Sequence, residues 1–307
     1  MKAVVASGYG PPEVLKVKDV PKPAIKSDEI LIKVRAASLN SGDVRMRSMD
    51  AGDGVKGLVG KVVIRLLIGI TRPRRTPGGV LAGVVVRVGN GVNKFKVGDE
   101  VYAMTGFKFG GFAEYCALPS SGTIALKPKK ASFEEASALP FGGNTAFYFL
   151  RKTGITKGKK VLIYGSSGAV GSSAIQVAKY LGANVTAISG KDGMKLSKSL
   201  GASIVYDYKT TNLQDIKGTF DIIFDAVGKI SKTKAEHMLA EGGKYVTVSS
   251  FDVAKESASD LEKLAKMFDA GKLKAVIDKT FRIDDIVEAN RYVDSGRKKG
   301  NVVIKIG

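Results

Sequence analysis

The sequence predicts an α/β protein in two parts, a partly open β-barrel followed by a doubly wound parallel sheet. Three observations carry this reading. Up to about Pro119 the 307-residue chain consists of short apolar runs punctuated by glycine and proline. From about Ser120 apolar runs alternate with helical patterns, which implies parallel strands with helices on both faces. Between Lys160 and Ser189 an apolar run enters a glycine turn, a helical pattern and a second apolar run, KVLIYGSSGAVGSSAIQVAKYLGANVTAIS.

In order, Met1 to Ser7, Val14 to Val20 and Glu29 to Ala37 read as strands separated by Gly-Pro and Pro-Lys-Pro turns. Val80 to Val88 and Asp99 to Ala103 continue them, with Gly89, Gly91 and Gly98 as punctuation; many short strands with glycine turns suggest a barrel. Ser132 is placed to cap a helix beginning FEEASALP. Strands are expected at Val161–Tyr164, Val185–Ile188, Ile204–Tyr206, Asp221–Asp225 and Lys244–Ser249, with a helical pattern from Ser231 to Ala240. Helices from Asp260 to Ala270 and Asp284 to Val293 precede a closing strand, Asn301 to Ile306. The expected division is residues 1–119, completed by 256–307, and residues 120–255. No internal repeat interrupts it.

The glycine turn has the form of a phosphate cradle. Gly165, Gly168 and Gly171 let the backbone approach a pyrophosphate, and the following helix aims free N–H groups and partial positive charge at it. At the end of the second strand, where Asp or Glu would hold a ribose hydroxyl, stand Ser189, Gly190 and Lys191. A hydroxyl and an ammonium suit a 2′-phosphate, so NADP(H) is expected over NAD(H). Asp192 would serve the ribose instead if the loop curled back, and Ser189 and Lys191 also suit an ordinary loop.

Composition narrows the chemistry. With 44% apolar and 25% charged residues the chain reads as soluble and globular, and one cysteine permits no intrachain disulfide. The N-terminus lacks a continuous apolar signal core, so the cytoplasm is the expected location. His237 and Cys116 are the only histidine and cysteine, too few for a conventional zinc site, so no zinc is expected. His237 is expected on a helix surface, which argues against a Ser-His-Asp hydrolase, and Cys116 in AEYCAL reads as a small buried hydrophobe. A net charge of +20 suits nucleic acid or an anionic membrane, yet the lysines are scattered and no aromatic-interleaved basic run appears. A solvated basic surface that draws in an anionic cofactor is therefore expected, without nucleic acid.

One segment departs from the β pattern. From Val55 to Ile70 apolar residues recur at positions 55, 58, 59, 62, 63, 66, 67 and 70, a single stripe on a helix. Sixteen residues interrupted by charge are too few to span a bilayer. The stripe suits a lid packed on the protein, or an interfacial helix touching anionic lipid.

Taken together, EILIKVRAASLNSGDVR, GVVVRVGNGVNKFKVGDEVYAM, GGFAEY, ALPFGGNTAF, GSSGAVGSSAIQVAKYLGA, FDIIFDAVG and KKGNVVI occur in an order that resembles a known family over nearly the whole chain. It is the zinc-independent, zeta-crystallin-like quinone oxidoreductase branch of the medium-chain dehydrogenase/reductase superfamily, which is alcohol dehydrogenase-like. The resemblance implies a GroES-like barrel closed by the C-terminal tail, a Rossmann domain, and an active site in the cleft between them. It implies hydride transfer from NADPH to a quinone or an α,β-unsaturated carbonyl, such as an enone or alkenal, without zinc. By the same resemblance Gly168, Ala169, Val170 and Gly171 hold the pyrophosphate, Ser189 and Lys191 the 2′-phosphate, and Tyr208 packs near the adenosine phosphate. Thr145, Val227, Gly228 and Ser249 border the nicotinamide and its ribose. Asn40 and Asp43 match the N-x-x-D pair that lines the substrate cleft, although Asn and Asp also cap turns readily. Asn40 and Arg45 are candidates to meet an oxyanion, beside backbone N–H groups and water.

Departures from the family bear on the substrate. Val80 stands where an acidic residue is frequent, Arg45 and Arg47 stand where some quinone reductases carry tyrosines, and helix 55–70 enlarges a loop. Relatives often form homodimers, and some zeta-crystallin relatives bind nucleic acid. A peripheral quinone reductase using helix 55–70 on a membrane is a further alternative.

Overall fold

The apolar alternation of the N-terminal segments resolves into antiparallel strands. In the computed structural model, which describes residues 1–50, 61–62, 65–66, 69–73, 76–249 and 252–307, β1 (Lys2–Ala6) pairs with β2 (Leu15–Asp19). A larger sheet is built on β3 (Glu29–Leu39), whose eleven residues are enough to serve two partners along one edge. Glu29 to Lys33 pair with β6 (Tyr115–Pro119), and Ala36 to Leu39 pair with the C-terminal strand. The other edge of β3 takes β4 (Val80–Val88), followed by β5 (Glu100–Met104) and β7 (Ile124–Leu126). Register shifts interrupt the β3–β4 ladder, and such bulges bend and twist a sheet. Gly83 permits the close approach there, since a Cβ on it would lie 2.2 Å from the Lys33 carbonyl oxygen. The core of this unit combines Ile30, Ile32, Leu81, Val101 and Phe112 with Ile286, Val302 and Ile304 from the C-terminal tail.

The second unit is a five-stranded parallel sheet. Its strands are β8 (Lys160–Tyr164), β9 (Asn184–Ser189), β10 (Ile204–Asp207), β11 (Phe220–Asp225) and β12 (Leu239–Thr247). The order is β10-β9-β8-β11-β12, so the winding reverses between β8 and β11. In open α/β sheets ligands bind outside the carboxyl ends of the strands at that reversal.

By internal packing the first unit is Met1–Pro140 with Ile277–Gly307, and the second is Phe141–Val276. The expected boundaries at 119 and 256 both shift by about twenty residues. Residues 120–140 stay with the barrel because β7 extends its sheet, and α2 (Phe133–Ala138) packs on it. Ser132 caps α2 as expected, accepting from the Glu135 N–H at 3.1 Å while its own N–H donates to the Glu135 carboxylate at 2.9 Å. α3 (Pro140–Lys152) leads into the parallel sheet.

The segment 256–276 belongs to the second unit. The return to the barrel begins only with β13 (Ile277–Arg282), a strand not expected from the sequence, which pairs in parallel with the closing strand β14 (Asn301–Lys305). The helical pattern expected over 231–240 is also shorter. It is helical from Lys232 to Ala235, tightens into a 3₁₀ turn, and becomes β12 at Leu239 because that residue pairs with Phe220. His237 is exposed, as expected.

Much of the amphipathic segment 55–70 lies outside the described residues. Within it Lys61, Val62, Arg65 and Leu66 are helical, and the stripe residues Val62, Leu66 and Ile70 are 50%, 70% and 62% exposed. No described helix is long and apolar enough to cross a membrane.

Candidate functional site

In the second unit, the turn after β8 gives its three glycines three separate duties. Gly165 has φ +75°, which favours glycine, and a Cβ there would strike Val227 at 2.4 Å. Gly171 lies in α4 (Ala169–Tyr180), where a Cβ would meet the Gly165 carbonyl oxygen at 2.2 Å. Gly168 is different: a Cβ there would meet nothing of the protein closer than 3.6 Å. Protein packing therefore does not demand a glycine at 168, whereas a group lying against the turn would. Gly168 is also the N-cap of α4 and has no side chain to satisfy the first N–H groups, so those of Ala169 and Val170 stand ready for an anion. The residues present fit a pyrophosphate.

The end of β9 is more ordered than the sequence suggests. Ser189 is 1% exposed and its hydroxyl donates to the Gly190 carbonyl at 3.1 Å. Instead of a loop, α5 (Lys191–Ser199) starts at once, with Gly190 as an N-cap lacking a side chain. Lys191, exposed, is its first residue, and Asp192 lies in its first turn. The Tyr208 ring lies over Gly190, where a Cβ would come within 3.2 Å of the phenol oxygen. Tyr208 is itself half exposed and stands 6.4 Å from the Tyr164 ring. A second uncapped helix start, an ammonium and a phenol thus converge here, a donor set matched to a phosphate monoester. The sequence reading gave Lys191 and Tyr208 a role at this strand end but gave none to Gly190.

At the end of β11 the sequence reading also passed over Asp225. This fully buried carboxylate accepts from the N–H groups of Val227 at 3.1 Å, Gly228 at 2.8 Å and Ile230 at 3.0 Å, and from the Thr247 hydroxyl at 3.3 Å. Thr247 in turn accepts from the Ser249 N–H at 3.2 Å. One acid thereby fixes Val227, Gly228 and Ser249 at the carboxyl edge of the sheet. Gly228 is obligatory, with φ +73° and Ser249 Oγ only 1.9 Å from where its Cβ would stand. The signal available in the sequence was an acid closing an apolar strand immediately before a glycine turn, FDIIFDAVG. Thr145, on α3, is buried and donates to the Phe141 carbonyl at 2.7 Å. Gly142, one turn earlier on the same face, lets α3 approach the start of α4, where a Cβ would lie 2.3 Å from the Ala169 carbonyl oxygen.

In the first unit, Asn40 and Asp43 open α1 (Ser41–Ser48), a helix where only a turn was expected. The Asp43 carboxylate accepts from the Asn40 N–H at 2.9 Å and the Gly79 N–H at 3.1 Å, joining α1 to the loop before β4. Loss of solvent outweighs these bonds and pushes the Asp43 carboxyl up to about 6. Asn40 is 2% exposed. Its amide donates to the Ser38 carbonyl at 3.1 Å and the Ser38 hydroxyl at 3.0 Å, while its Oδ1 is buried without a hydrogen-bond partner.

The structure does not bring Arg45 to this pair. Two residues beyond Asp43, Arg45 projects from roughly the opposite side of α1 and is exposed. Arg47, one turn beyond Asp43, is the arginine that turns inward. Its guanidinium holds the Asp294 carboxylate at 2.6 and 2.9 Å, Asn290 at 3.2 Å, and the Gly10 carbonyl. Asp43, Met46 and Arg47 face a cavity of about 40 Å³ walled by Pro77, Phe109 and Phe112. Cys116 is buried, and burial pushes its thiol up to about 12, so it is no nucleophile. Among the described residues no group of three or more His, Cys, Asp or Glu is placed to hold a metal ion.

Comparison with known proteins shows what the chain as a whole is similar to. Residues 26–128 fit the model of the alcohol dehydrogenase GroES-like domain, and residues 169–276 and 250–304 fit two models described as zinc-binding dehydrogenase. A 2-methylene-furan-3-one reductase of Solanum lycopersicum is 39% identical over 99% of this chain and 79% of its own length. The chloroplastic NADPH-dependent alkenal/one oxidoreductase of Arabidopsis thaliana is 35% identical over the same shares. Among solved structures, the quinone oxidoreductase from Coxiella burnetii superposes with a TM-score of 0.89 at 30% identity, covering 100% of this chain and 99% of that one.

Proposed function

Since the chain belongs to the quinone oxidoreductase branch of the medium-chain dehydrogenase/reductase superfamily, we propose that it reduces an enone, alkenal or quinone with NADPH and without zinc. The chain is an oxidoreductase by this kinship, and NADP(H) is the cofactor its relatives' names support. The single observation that carries the reading is the paired anion cradle. Gly168 keeps space that protein packing does not require, and Gly190, Lys191 and Tyr208 form a phosphate-sized donor cluster at the next strand end.

With the nicotinamide bound, the hydride comes from its C4. The chain's own residues do the rest. Ala169 and Val170 orient the pyrophosphate through their N–H groups, Lys191 neutralises the 2′-phosphate, and Asp225 holds the strand end that borders the ribose. Asn40 and Asp43 shape the environment of the acceptor. The Asn40 amide nitrogen already donates to the Ser38 carbonyl and hydroxyl, so the developing oxyanion is assigned to backbone N–H groups or water, and the final proton to solvent. Arg45 has no part in this proposal. Zinc-independence rests on the chain's own donors, one histidine and one cysteine, the latter buried with its thiol raised to about 12.

The test is NADPH oxidation with 1,2-naphthoquinone and with a simple enone, before and after dialysis against a chelator. Turnover is expected with at least one acceptor and unchanged by chelation. Chelator inhibition reversed by zinc, or no heat of NADPH binding by calorimetry, would overturn the proposal. Lys191→Ala is expected to weaken NADPH roughly tenfold or more while leaving NADH nearly unaffected.

A further inference from the structure

The groove at the far end of α4 is unused by anything described above. It occupies about 320 Å³ in the second unit and is lined by Gln176, Lys179 and Tyr180 of α4, Ser199 and Leu200 at the end of α5, and Gly271, Lys272 and Lys274. α4 begins at the glycine turn and runs twelve residues, about 18 Å, so this groove stands at the opposite edge of the sheet from the cofactor cradle.

The groove is built rather than incidental. Gln176 is 6% exposed, and its amide clamps the backbone of Lys274 in both directions. Its Nε2 donates to the Lys274 carbonyl at 3.1 Å and its Oε1 accepts from the Lys274 N–H at 2.7 Å. The Lys272 N–H donates to the Met267 carbonyl at 2.8 Å, which fixes the same segment from its other end. The stem of Lys179 lies across Gly201, 3.2 Å from where a Cβ would stand.

Charge selects the occupant. Lys179, Lys272 and Lys274 make no ion pair among the described residues. α4 and α5 end at the groove, as does α7 (Ala258–Asp269). Each helix end presents about half a negative charge. α7 also ends on the Asp269 carboxylate, so the three ammonium groups exceed the three helix ends and this acid by roughly half a charge. Beside them, Tyr180 is 54% exposed, Leu200 offers an apolar floor, and Ser199 brings a hydroxyl. Ammonium groups for a phosphate, a free aromatic face for a ring and a volume at the lower end of small-molecule sites belong together.

We propose that this groove is a second ligand site that binds a small phosphorylated aromatic molecule, separate from the cofactor cradle. It does not depend on the reductase reading. The test uses AMP and inorganic phosphate on the full chain saturated with NADPH, so that the cradle is filled. Calorimetry is expected to find one AMP site. Lys272→Ala with Lys274→Ala should weaken AMP by about tenfold or more. Tyr180→Ala should weaken AMP but leave phosphate unchanged, and Lys191→Ala should change neither. Urea unfolding of the groove variants, expected at the wild-type midpoint, verifies that they are folded. No binding at millimolar AMP, or equal loss in Lys191→Ala, overturns the proposal. So does retention of RNA or of phosphatidylserine vesicles by these lysines when AMP does not bind.

Discussion

Asp43 keeps a carboxyl where solvent is scarce, and the consequence is measurable. Its folded pKa of about 6 lies above the ordinary 3.8, so between those values the native protein holds a proton that the unfolded chain has released. The resulting stabilisation is complete below about pH 4 and disappears as pH rises through about 6, a swing on the order of 3 kcal/mol. Urea unfolding of the wild type and Asp43→Asn should show a stability difference that shifts by that order between pH 4 and 6.5. A difference independent of pH would refute the assignment. The residue types of this site were legible, because N-x-x-D and the glycine turn are local patterns. The distant partners were not: nothing in sequence spacing says that Asp43 reaches Gly79, or that Asp225 reaches Thr247.

Elements were readable where local chemistry fixes them. The α2 capping box is spelled by Ser132 and Glu135, and the five parallel strands by their apolar runs. β13 was missed because Ile277–Arg282 becomes a strand through pairing with β14, not through its own composition. Arg47 shows the same dependence. It fastens α1 to α8 (Ile286–Asp294), 243 residues away for Asn290. Arg47→Ala strands the Asp294 carboxylate and should cost about 3 kcal/mol, read as a lowered urea midpoint at constant slope. In contrast, Val62→Ser and Leu66→Ser should change stability by less than about 0.5 kcal/mol, since both side chains are half or more exposed. A loss above 1 kcal/mol would show that the stripe packs on the protein.

For the whole molecule, the net charge of +20 should govern how strongly an anionic cofactor is drawn in. Raising salt from about 0.05 to 0.5 M is expected to weaken NADPH on the order of tenfold, measured by fluorescence titration, with little change in unfolding midpoint. Salt-insensitive binding would confine the attraction to Lys191 and the two helix starts. The fold class, the two-part architecture and the five strands of the parallel sheet were legible in the sequence alone, because apolar periodicity and glycine turns act over a few residues. Tertiary structure alone decided that the tail returns at Ile277, that Arg47 rather than Arg45 turns inward, and that α5 opens on Gly190. Each of these turns on contacts between residues far apart in the chain, whose energies depend on burial and pairing that no local pattern encodes.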